Sequence, residues 1–230
     1  MNNFWDNQPL NKKNFIHSIS NLSYDKKFSE EKSHSEKDII TNLLNSKNKK
    51  FNSCIEIGAG TCQWSYILSK ISKSLLATDT SKGMIELGQK YLSDNYPKIN
   101  IKFFIGDICE ELIPINRPYD LVFISGLILY LNKNQFSKLL KFISKNTTNN
   151  AILILREPVG INKEYVLDNI YSDELKTNYS AVYRTENKII NSFRSNNFIL
   201  ETNEWLHPDN SKFNKWKETR LKLISFRRIK

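Results

Sequence analysis

The segment from Cys54 to Trp64 constrains the fold of this chain more than any other stretch. Its first four residues are apolar apart from Glu56 and predict a buried strand, which runs into Gly58 and Gly60 and then into a helical pattern. Such a strand, turn and helix bring backbone N–H groups and the N-terminus of a helix to a bound cofactor. The same pattern also fits a nicotinamide or flavin site, or a tight turn without a ligand.

Two residues of this segment separate these interpretations. A dinucleotide site calls for a third glycine three residues after Gly60, where this chain has Gln63, so the dinucleotide interpretation is disfavoured. Glu56 stands at the carboxyl end of an otherwise apolar strand, and strand packing does not require a carboxylate there. The acid therefore favours a ligand site over a bare turn.

Glu56-x-Gly58-x-Gly60 resembles the first motif of class I S-adenosylmethionine-dependent methyltransferases. A second apolar strand ends in Asp79, about 20 residues after the glycines, the distance at which one βαβ unit places a carboxylate on a ribose. The chain departs from the family at Cys62, where many relatives have a third glycine.

Two further motifs follow in the order and spacing of the family. A third strand precedes the pair Asp107-Ile108, and residues 119–126 resemble the family's fourth strand. In the family the acid of such a pair accepts from the adenine amino group, and the aliphatic residue packs on the adenine ring. The resemblance covers residues 52–157.

The resemblance implies an α/β fold with a Rossmann-like seven-stranded sheet in the order 3-2-1-4-5-7-6, its last strand antiparallel, and helices on both faces. It also implies S-adenosyl-L-methionine as the cofactor, with Asp79 on its ribose. The expected cofactor-binding residues are Glu56, Gly58, Ala59, Gly60, Asp79, Thr80, Asp107, Ile108 and Ser125.

The length of the chain limits the number of domains, and its net charge indicates which classes of partner it favours. A single domain is expected for 230 residues, since domains commonly contain about 50 to 250. The formal net charge of +10 favours anionic partners, such as phosphorylated or nucleotide-linked small molecules or a nucleic acid. An AT-rich coding sequence is the alternative source of the lysines, which would then only solvate the surface. We expect a small-molecule acceptor, with anionic ones among the candidates, and a nucleic acid as the less favoured partner.

The cysteines and the hydropathy pattern bear on compartment. Cys54, Cys62 and Cys109 are too few and too widely spaced for a zinc site. Their odd number and the lack of a secretory segment favour reduced thiols in a cytoplasm. No stretch reaches the length needed to span a bilayer. We therefore expect a soluble cytoplasmic protein without a metal and without membrane insertion.

The acceptor side is predicted from the carboxyl ends of later strands. Methyl transfer from a sulfonium is an in-line displacement that needs aligned reactants and exclusion of water, and an oxygen or nitrogen acceptor must also lose a proton. Arg156 and Glu157 directly follow the apolar run 151–155, at the strand end where ligands bind in α/β sheets, although they could form a structural ion pair. His207 follows a later strand, but a lone histidine is more often a packing or surface residue.

Residues 179–185 resemble the Tyr-Arg segment of some small-molecule methyltransferases. The catalytic candidates are Glu157, His207 and Tyr183. The substrate-binding candidates are Arg156, Tyr179 and Arg184.

We expect one methyltransferase domain that spans residues 1–230 and includes two segments outside the motifs. Residues 1–50 are expected to form a helical or lid segment, with a helix capped by Ser33 or Ser35. The long connection 158–184 is expected to bind the acceptor, since loops beyond about 12 to 15 residues are usually functional.

The favoured function is methyl transfer to an oxygen or nitrogen of a small molecule such as a sugar, a lipid head group or a natural-product intermediate. The alternatives are an RNA or protein methyltransferase and a cofactor-binding module without activity. The Asn/Asp-Pro-Pro-Tyr motif typical of amino-directed nucleic-acid and protein enzymes is absent after strand 4, where the chain reads Ser125-Gly126-Leu127-Ile128. The intact cofactor motifs disfavour the inactive module.

Overall fold

The computed structural model describes residue 5 and residues 25–47, 50–108, 110, 118–172, 177–214 and 216–229. These residues form two compact units, one of residues up to 107 and the other of residues from 108 onward. Residues 1–4, 6–24, 48 and 49 of the predicted helical or lid segment lie outside the described residues. Among the described helices, none is long and apolar enough to cross a membrane.

The first unit alternates helices with strands. Its elements are α1 (Lys26–Ser46), β1 (Cys54–Ile57), α2 (Ser65–Ile71), β2 (Leu75–Asp79), α3 (Lys82–Asn95) and β3 (Ile101–Ile105). β1 pairs with β2, and β2 with β3, in parallel register. All four side chains of β1 are buried, as expected of a parallel strand.

α1 begins earlier than its apolar pattern predicts. Asp25 caps the helix, because its side chain accepts a hydrogen bond from the Phe28 backbone N–H at 3.0 Å. Aspartate is among the best N-cap residues, since its carboxylate satisfies an N–H group that the first turn leaves unpaired. The prediction of a cap at Ser33 or Ser35 is therefore wrong, and both serines lie within the helix.

The second unit is richer in strands. Its elements are β4 (Tyr119–Ser125), a 3₁₀ turn (Ile128–Tyr130), α4 (Lys133–Asn146), β5 (Thr147–Gly160), β6 (Tyr165–Ser172), β7 (Thr177–Tyr183), α5 (Glu186–Arg194), β8 (Phe198–Trp205) and β9 (Thr219–Arg228). β5 is buried from Ala151 to Glu157, which explains its continuous apolar run.

Seven strands form one sheet in the order β3-β2-β1-β4-β5-β9-β8. This order confirms the predicted 3-2-1-4-5-7-6, because β8 and β9 are the sixth and seventh strands of the sheet. β9 is antiparallel to both β5 and β8, whereas β4 and β5 are parallel. The predicted fold class is therefore confirmed.

The insertion between β5 and α5 folds as a β-hairpin, where the sequence indicated only a long polar connection. β6 and β7 form a separate two-stranded antiparallel sheet. The register shifts between Leu167 and Ile170, where Asn169 has φ +53° and donates its backbone N–H to Ser180 Oγ at 2.9 Å. Tyr179 and Tyr183 are four residues apart on β7 and Tyr165 pairs with Tyr183, so one face carries all three tyrosines.

Candidate active site

The turn after β1 has the backbone geometry that its glycines permit. Gly58 and Gly60 have φ of +71° and +52°, in the left-handed region that disfavours side chains. The N–H groups of Gly58 and Ala59 both donate to the carbonyl oxygen of Thr78 at 2.9 Å, which ties the turn to β2. A Cβ built on Gly60 would have no other atom within 4 Å. The turn therefore leaves open space at Gly60, as a ligand cradle requires.

The Asp79 carboxylate joins this turn to the start of α3. Its Oδ2 accepts the backbone N–H of Gly60 at 2.8 Å, and its Oδ1 accepts that of Ser81 at 2.9 Å. Ser81 caps α3 by accepting the N–H of Met84 at 3.2 Å. An ionised carboxylate offers about four acceptor positions, so Asp79, which is partly exposed, can also accept from a ligand hydroxyl.

Glu56 is only 2% exposed although it carries a carboxyl group. The hydroxyl of Ser65, at the start of α2, donates to its Oε2. Burial raises the pKa of Glu56 to about 8; the Ser65 hydrogen bond opposes the rise and the charge of Asp79 adds to it. At neutral pH the cofactor-free protein keeps this group largely protonated, and a nearby cation on a ligand would favour its ionised form.

Cys62 occupies a backbone position that suits glycine. Its φ is +59°, and its side chain is fully buried in the apolar cluster of the first unit. A cysteine is tolerated there because α3 makes room for it. A Cβ built on Gly88 would lie 2.7 Å from Cys62 Sγ and 2.8 Å from the carbonyl carbon of Thr61. The chain therefore keeps the turn and places its compensating glycine on the facing helix.

The remaining predicted cofactor residues lie at or just after strand ends. Thr80 and Asp107 follow β2 and β3 and are half-buried. In the second unit, Ile108 is buried and Ser125 ends β4. Ser125 Oγ accepts a hydrogen bond from Arg156 Nη1 at 3.2 Å. Carboxyl ends of strands are where open α/β sheets bind ligands.

In the second unit, Glu157 caps the turn that follows β4. Its Oε1 accepts the backbone N–H groups of Leu127 at 2.8 Å and Ile128 at 3.2 Å, while its buried Oε2 has no hydrogen-bond partner among the described residues. Burial raises the pKa of Glu157 to about 7, and the two N–H groups followed by Arg156 and Arg184 limit the rise. A buried carboxyl that titrates near neutrality can exchange a proton with a bound molecule.

Arg184 holds the same turn through two of its carbonyl groups. Its Nη1 donates to the carbonyl oxygen of Ile128 at 2.7 Å, and its Nη2 donates to that of Leu131 at 2.5 Å. The guanidinium carbon also lies 4.9 Å from the centre of the Phe136 ring. These contacts commit Arg184 to the backbone, so we favour a positioning role over the predicted grip on an acceptor.

Four tyrosines belong to the apolar cluster at this turn. Tyr130 lies within the turn, and the hairpin face contributes Tyr165, Tyr179 and Tyr183. Burial raises the pKa of Tyr183, with Tyr179 adding by its charge and by a hydrogen bond. Burial also raises the pKa of Tyr130, with Tyr179 and Glu157 adding to the rise. Tyr130 and Tyr183 therefore stay protonated at neutral pH and serve as hydrogen-bonding groups, not as bases.

Sequence analysis identified Tyr179 and Tyr183 but missed Tyr130 and Tyr165. Tyr130 lies close after the fourth strand, and this position was the available signal. Tyr165 had no local signal, because only the pairing of β6 with β7 sets it opposite Tyr183. Their ring centroids are 6.1 Å apart.

His207 lies in the connection between β8 and β9 and is 4% exposed. Its ring centroid is 4.9 Å from that of Phe213, and its backbone carbonyl accepts a hydrogen bond from Arg220 Nη2 at 2.8 Å. We favour a packing role for His207 over the predicted catalytic one. Within the described ranges, no three His, Cys, Asp or Glu side chains form a cluster that could hold a metal ion.

Residues 54–149 match the model of the methyltransferase-domain family. This range runs from β1 to the end of α4 and contains every predicted cofactor residue. No curated protein matches the sequence.

Solved methyltransferases share the fold. N-methyltransferase NodS from Bradyrhizobium japonicum WM9, in complex with S-adenosylhomocysteine, superposes with a TM-score of 0.66 at 12% identity, over 100% of this chain and 98% of that one. Magnesium protoporphyrin IX methyltransferase from Synechocystis PCC 6803 gives 0.64 at 14% identity, over 98% and 90%. The 1,6-didemethyltoxoflavin-N1-methyltransferase of Burkholderia thailandensis gives 0.63 at 10%, over 83% and 76%.

At these identities the structural likeness establishes the fold, and the family match bears on the activity. The residues fit the group that the family implies, because the open glycine turn and the Asp79 carboxylate offer a cradle with hydrogen-bond acceptors. The motifs, the fold and the family match agree on an S-adenosylmethionine-dependent methyltransferase domain that includes residues 54–149.

Proposed function

We propose that the acceptor is a small molecule methylated on an oxygen or a nitrogen. The observation that carries this proposal is the buried Glu157 with one unused oxygen, next to a turn packed by tyrosines. A carboxyl that is 1% exposed suits a small ligand that can be enclosed, and it suits the surface of a folded macromolecule poorly. Two of the similar structures are named for small acceptors, magnesium protoporphyrin IX and 1,6-didemethyltoxoflavin, and these names support the same class.

The first unit would hold the cofactor. Asp79 would accept hydrogen bonds from the ribose hydroxyls, and the open backbone at Gly60 would let the ligand approach the turn. Glu56 would ionise beside the cofactor's amino group. Asp107 and Ile108 would contact the adenine, as the family resemblance implies. S-adenosylmethionine supplies an electrophilic methyl group on a sulfonium sulfur.

Residues of the second unit would handle the acceptor. Glu157 would take the proton that the acceptor loses, since a base works best when its pKa lies near the working pH. Tyr183 and Tyr179 would orient the acceptor through their hydroxyl groups. Arg184 would act on the reaction only by holding the turn that carries Tyr130.

A nucleic-acid acceptor is the second candidate, favoured by the aromatic and basic residues of β8 and β9. Arg220 and Lys222 each lie 4.3 Å from the ring of Trp205, which is 37% exposed. Their charges are partly occupied, however, by ion pairs to Asp209 and Glu186. This pairing weakens the surface as a site for phosphates.

Methyl transfer from a donor with an isotope-labelled methyl group tests the proposal. A cell extract is separated into small molecules, nucleic acids and proteins, and each fraction is incubated with the enzyme and the labelled donor. We expect mass spectrometry to find the label in the small-molecule fraction. Label confined to the nucleic-acid or protein fraction would contradict the proposal.

A further inference from the structure

The turn between Leu127 and Leu131 is held by two side chains of opposite charge. Glu157 Oε1 accepts from the N–H groups of Leu127 and Ile128. Arg184 donates to the carbonyl groups of Ile128 and Leu131. One oxygen is left over in this arrangement, Glu157 Oε2, which has no partner in the described part of the chain. A buried acceptor without a partner is costly, so a molecule that donated to this oxygen would gain affinity from it.

The charges around Glu157 decide what kind of group can donate. Arg156 and Arg184 both act electrostatically on this carboxyl. An ammonium group would add a third positive charge beside a single carboxylate. A carboxylate or phosphate would add a second anion, while the Arg184 guanidinium is committed to the carbonyls of Ile128 and Leu131. A neutral donor avoids both costs.

The side chains around the turn indicate what the rest of the acceptor is like, beyond the group that donates to Glu157. Leu129, Ala181 and Tyr183 form a buried cluster, against which Tyr130 and Tyr179 pack. The Glu157 charge also contributes to the raised pKa of Tyr130, so this phenol lies within electrostatic reach of the carboxyl. Aromatic rings with hydroxyl tips favour planar or apolar bodies that carry a few polar groups.

Resting on the proposed function, we propose that the acceptor presents a neutral O–H or N–H group to Glu157 Oε2, and that carboxylate or phosphate groups are rejected at this point. The acceptor's oxygen or nitrogen would gain the methyl group as the bond between the methyl carbon and the sulfonium sulfur breaks, and S-adenosylhomocysteine would leave as a neutral thioether. The acceptor's proton would pass to the Glu157 carboxylate and then to water. The methylated acceptor is therefore neutral, and the released proton carries the positive charge that the sulfonium brought. The net charge of +10 favours anionic acceptors, and this inference excludes those whose carboxylate or phosphate group would face Glu157.

Four one-ring probes test the proposal by binding: phenol, aniline, benzoate and phenyl phosphate. Each is titrated by ligand-observed NMR into protein saturated with S-adenosylhomocysteine at pH 8, above the Glu157 pKa of about 7. We expect phenol and aniline to bind at least tenfold more tightly than the two anions. Equal or tighter binding of benzoate or phenyl phosphate would overturn the proposal.

Glu157→Gln gives a sharper outcome, because one amide oxygen can still accept from Leu127 and Ile128 while an NH₂ group replaces Oε2. We expect the preference to reverse, with phenol and aniline weakened at least tenfold and benzoate strengthened. Glu204→Gln, an exposed site on β8, is the matched control and should leave the ranking unchanged. An unchanged ranking in Glu157→Gln would overturn the proposal.

Two measurements keep the outcomes separate. If Glu157→Gln does not fold by circular dichroism, the ranking of the probes in the wild-type protein decides alone. Calorimetric titration of S-adenosylhomocysteine separates this inference from the proposed function. Cofactor binding together with the wrong probe ranking refutes only the neutral-donor inference, whereas absence of cofactor binding refutes the proposed function itself.

Discussion

Two glutamates within buried strands show how differently the two units treat the same group. Glu56 in β1 is paired with a hydroxyl from the helix that follows. Its pKa rises to about 8, and no cation among the described residues opposes that rise. Glu157 in β5 accepts two backbone N–H groups and lies within reach of Arg156 and Arg184, and its pKa rises to about 7.

The difference lies in sequence distance. The partners of Glu56 and Asp79 lie close to them in the sequence, within the segment that runs from β1 to the start of α3. The partners of Glu157 come from the turn after β4 and from the end of the hairpin insertion. A site built from one local unit can be recognised as a motif, whereas a site built from distant segments becomes visible only after they are paired.

The largest effect is expected at the long-range site. Arg184→Met should lower the free energy of unfolding by about 3 to 5 kcal/mol, the usual cost of removing one partner from a buried charged arrangement. The carbonyls of Ile128 and Leu131 would lose their donors, and Glu157 would lose a nearby cation. Urea unfolding measures the change, with Arg194→Met on the exposed side of α5 as the control. A loss of stability no larger than that of the control would show that the contacts of Arg184 with the turn do not stabilise the protein.

The next effect concerns the local site and cofactor binding. Asp79→Ala should weaken S-adenosylhomocysteine roughly 10- to 150-fold, because a hydrogen bond to a charged group contributes about 1.5 to 3 kcal/mol. Some stability should also be lost, since Asp79 accepts the N–H groups of Gly60 and Ser81. Calorimetric titration measures the affinity, and the exposed Asp94→Ala on α3 is the control. Wild-type affinity in Asp79→Ala would remove Asp79 from the cofactor site.

A third change tests how the glycine turn is packed. Gly88→Ala should destabilise the protein by about 1 to 3 kcal/mol, the range for overpacking, because the new methyl group would meet Cys62 Sγ and the Thr61 backbone. Cys62→Gly removes the thiol and should reduce that cost in the double variant. A urea double-mutant cycle measures the coupling. Additive costs would show that Cys62 and Gly88 do not share this space.

The last effect is a gradual loss of stability with rising pH, which separates the two glutamates. A carboxyl whose pKa is raised by folding binds its proton more tightly in the native state, so stability is highest below the unfolded pKa and falls as pH rises through the folded one. For Glu56 the loss should extend from about pH 4.5 to 8, at about 1.4 kcal/mol per pH unit, and for Glu157 it should end near pH 7.

Urea unfolding of the cofactor-free protein at several pH values measures these slopes. Glu56→Gln should flatten the curve up to about pH 8, and Glu157→Gln only up to about pH 7. The exposed Glu86→Gln should leave the wild-type slope unchanged. Parallel curves for all four proteins would mean that neither buried carboxyl titrates as its surroundings require.

The order of the strands and the cofactor motifs were predictable because the information is local. Strands and helices alternate from β1 to β3, and the parallel strands and the acids at or after their ends follow from that alternation. The start of α1 was missed because Asp25 precedes the apolar stripe by several turns, so the pattern marked only the later part of the helix.

The sequence by itself determined the fold class, the glycine turn with Glu56 and Asp79, and the polar pair Arg156-Glu157 behind an apolar run, which the structure places within β5 and not at its end. Tertiary structure alone decided what those later groups do: Arg184 became a clamp for backbone carbonyls, Glu157 became a cap with one unused oxygen, and Tyr130 and Tyr165 joined the hairpin tyrosines. The physical reason is that a buried polar side chain takes its role from its hydrogen-bond partners, and these partners come from segments far apart in the chain.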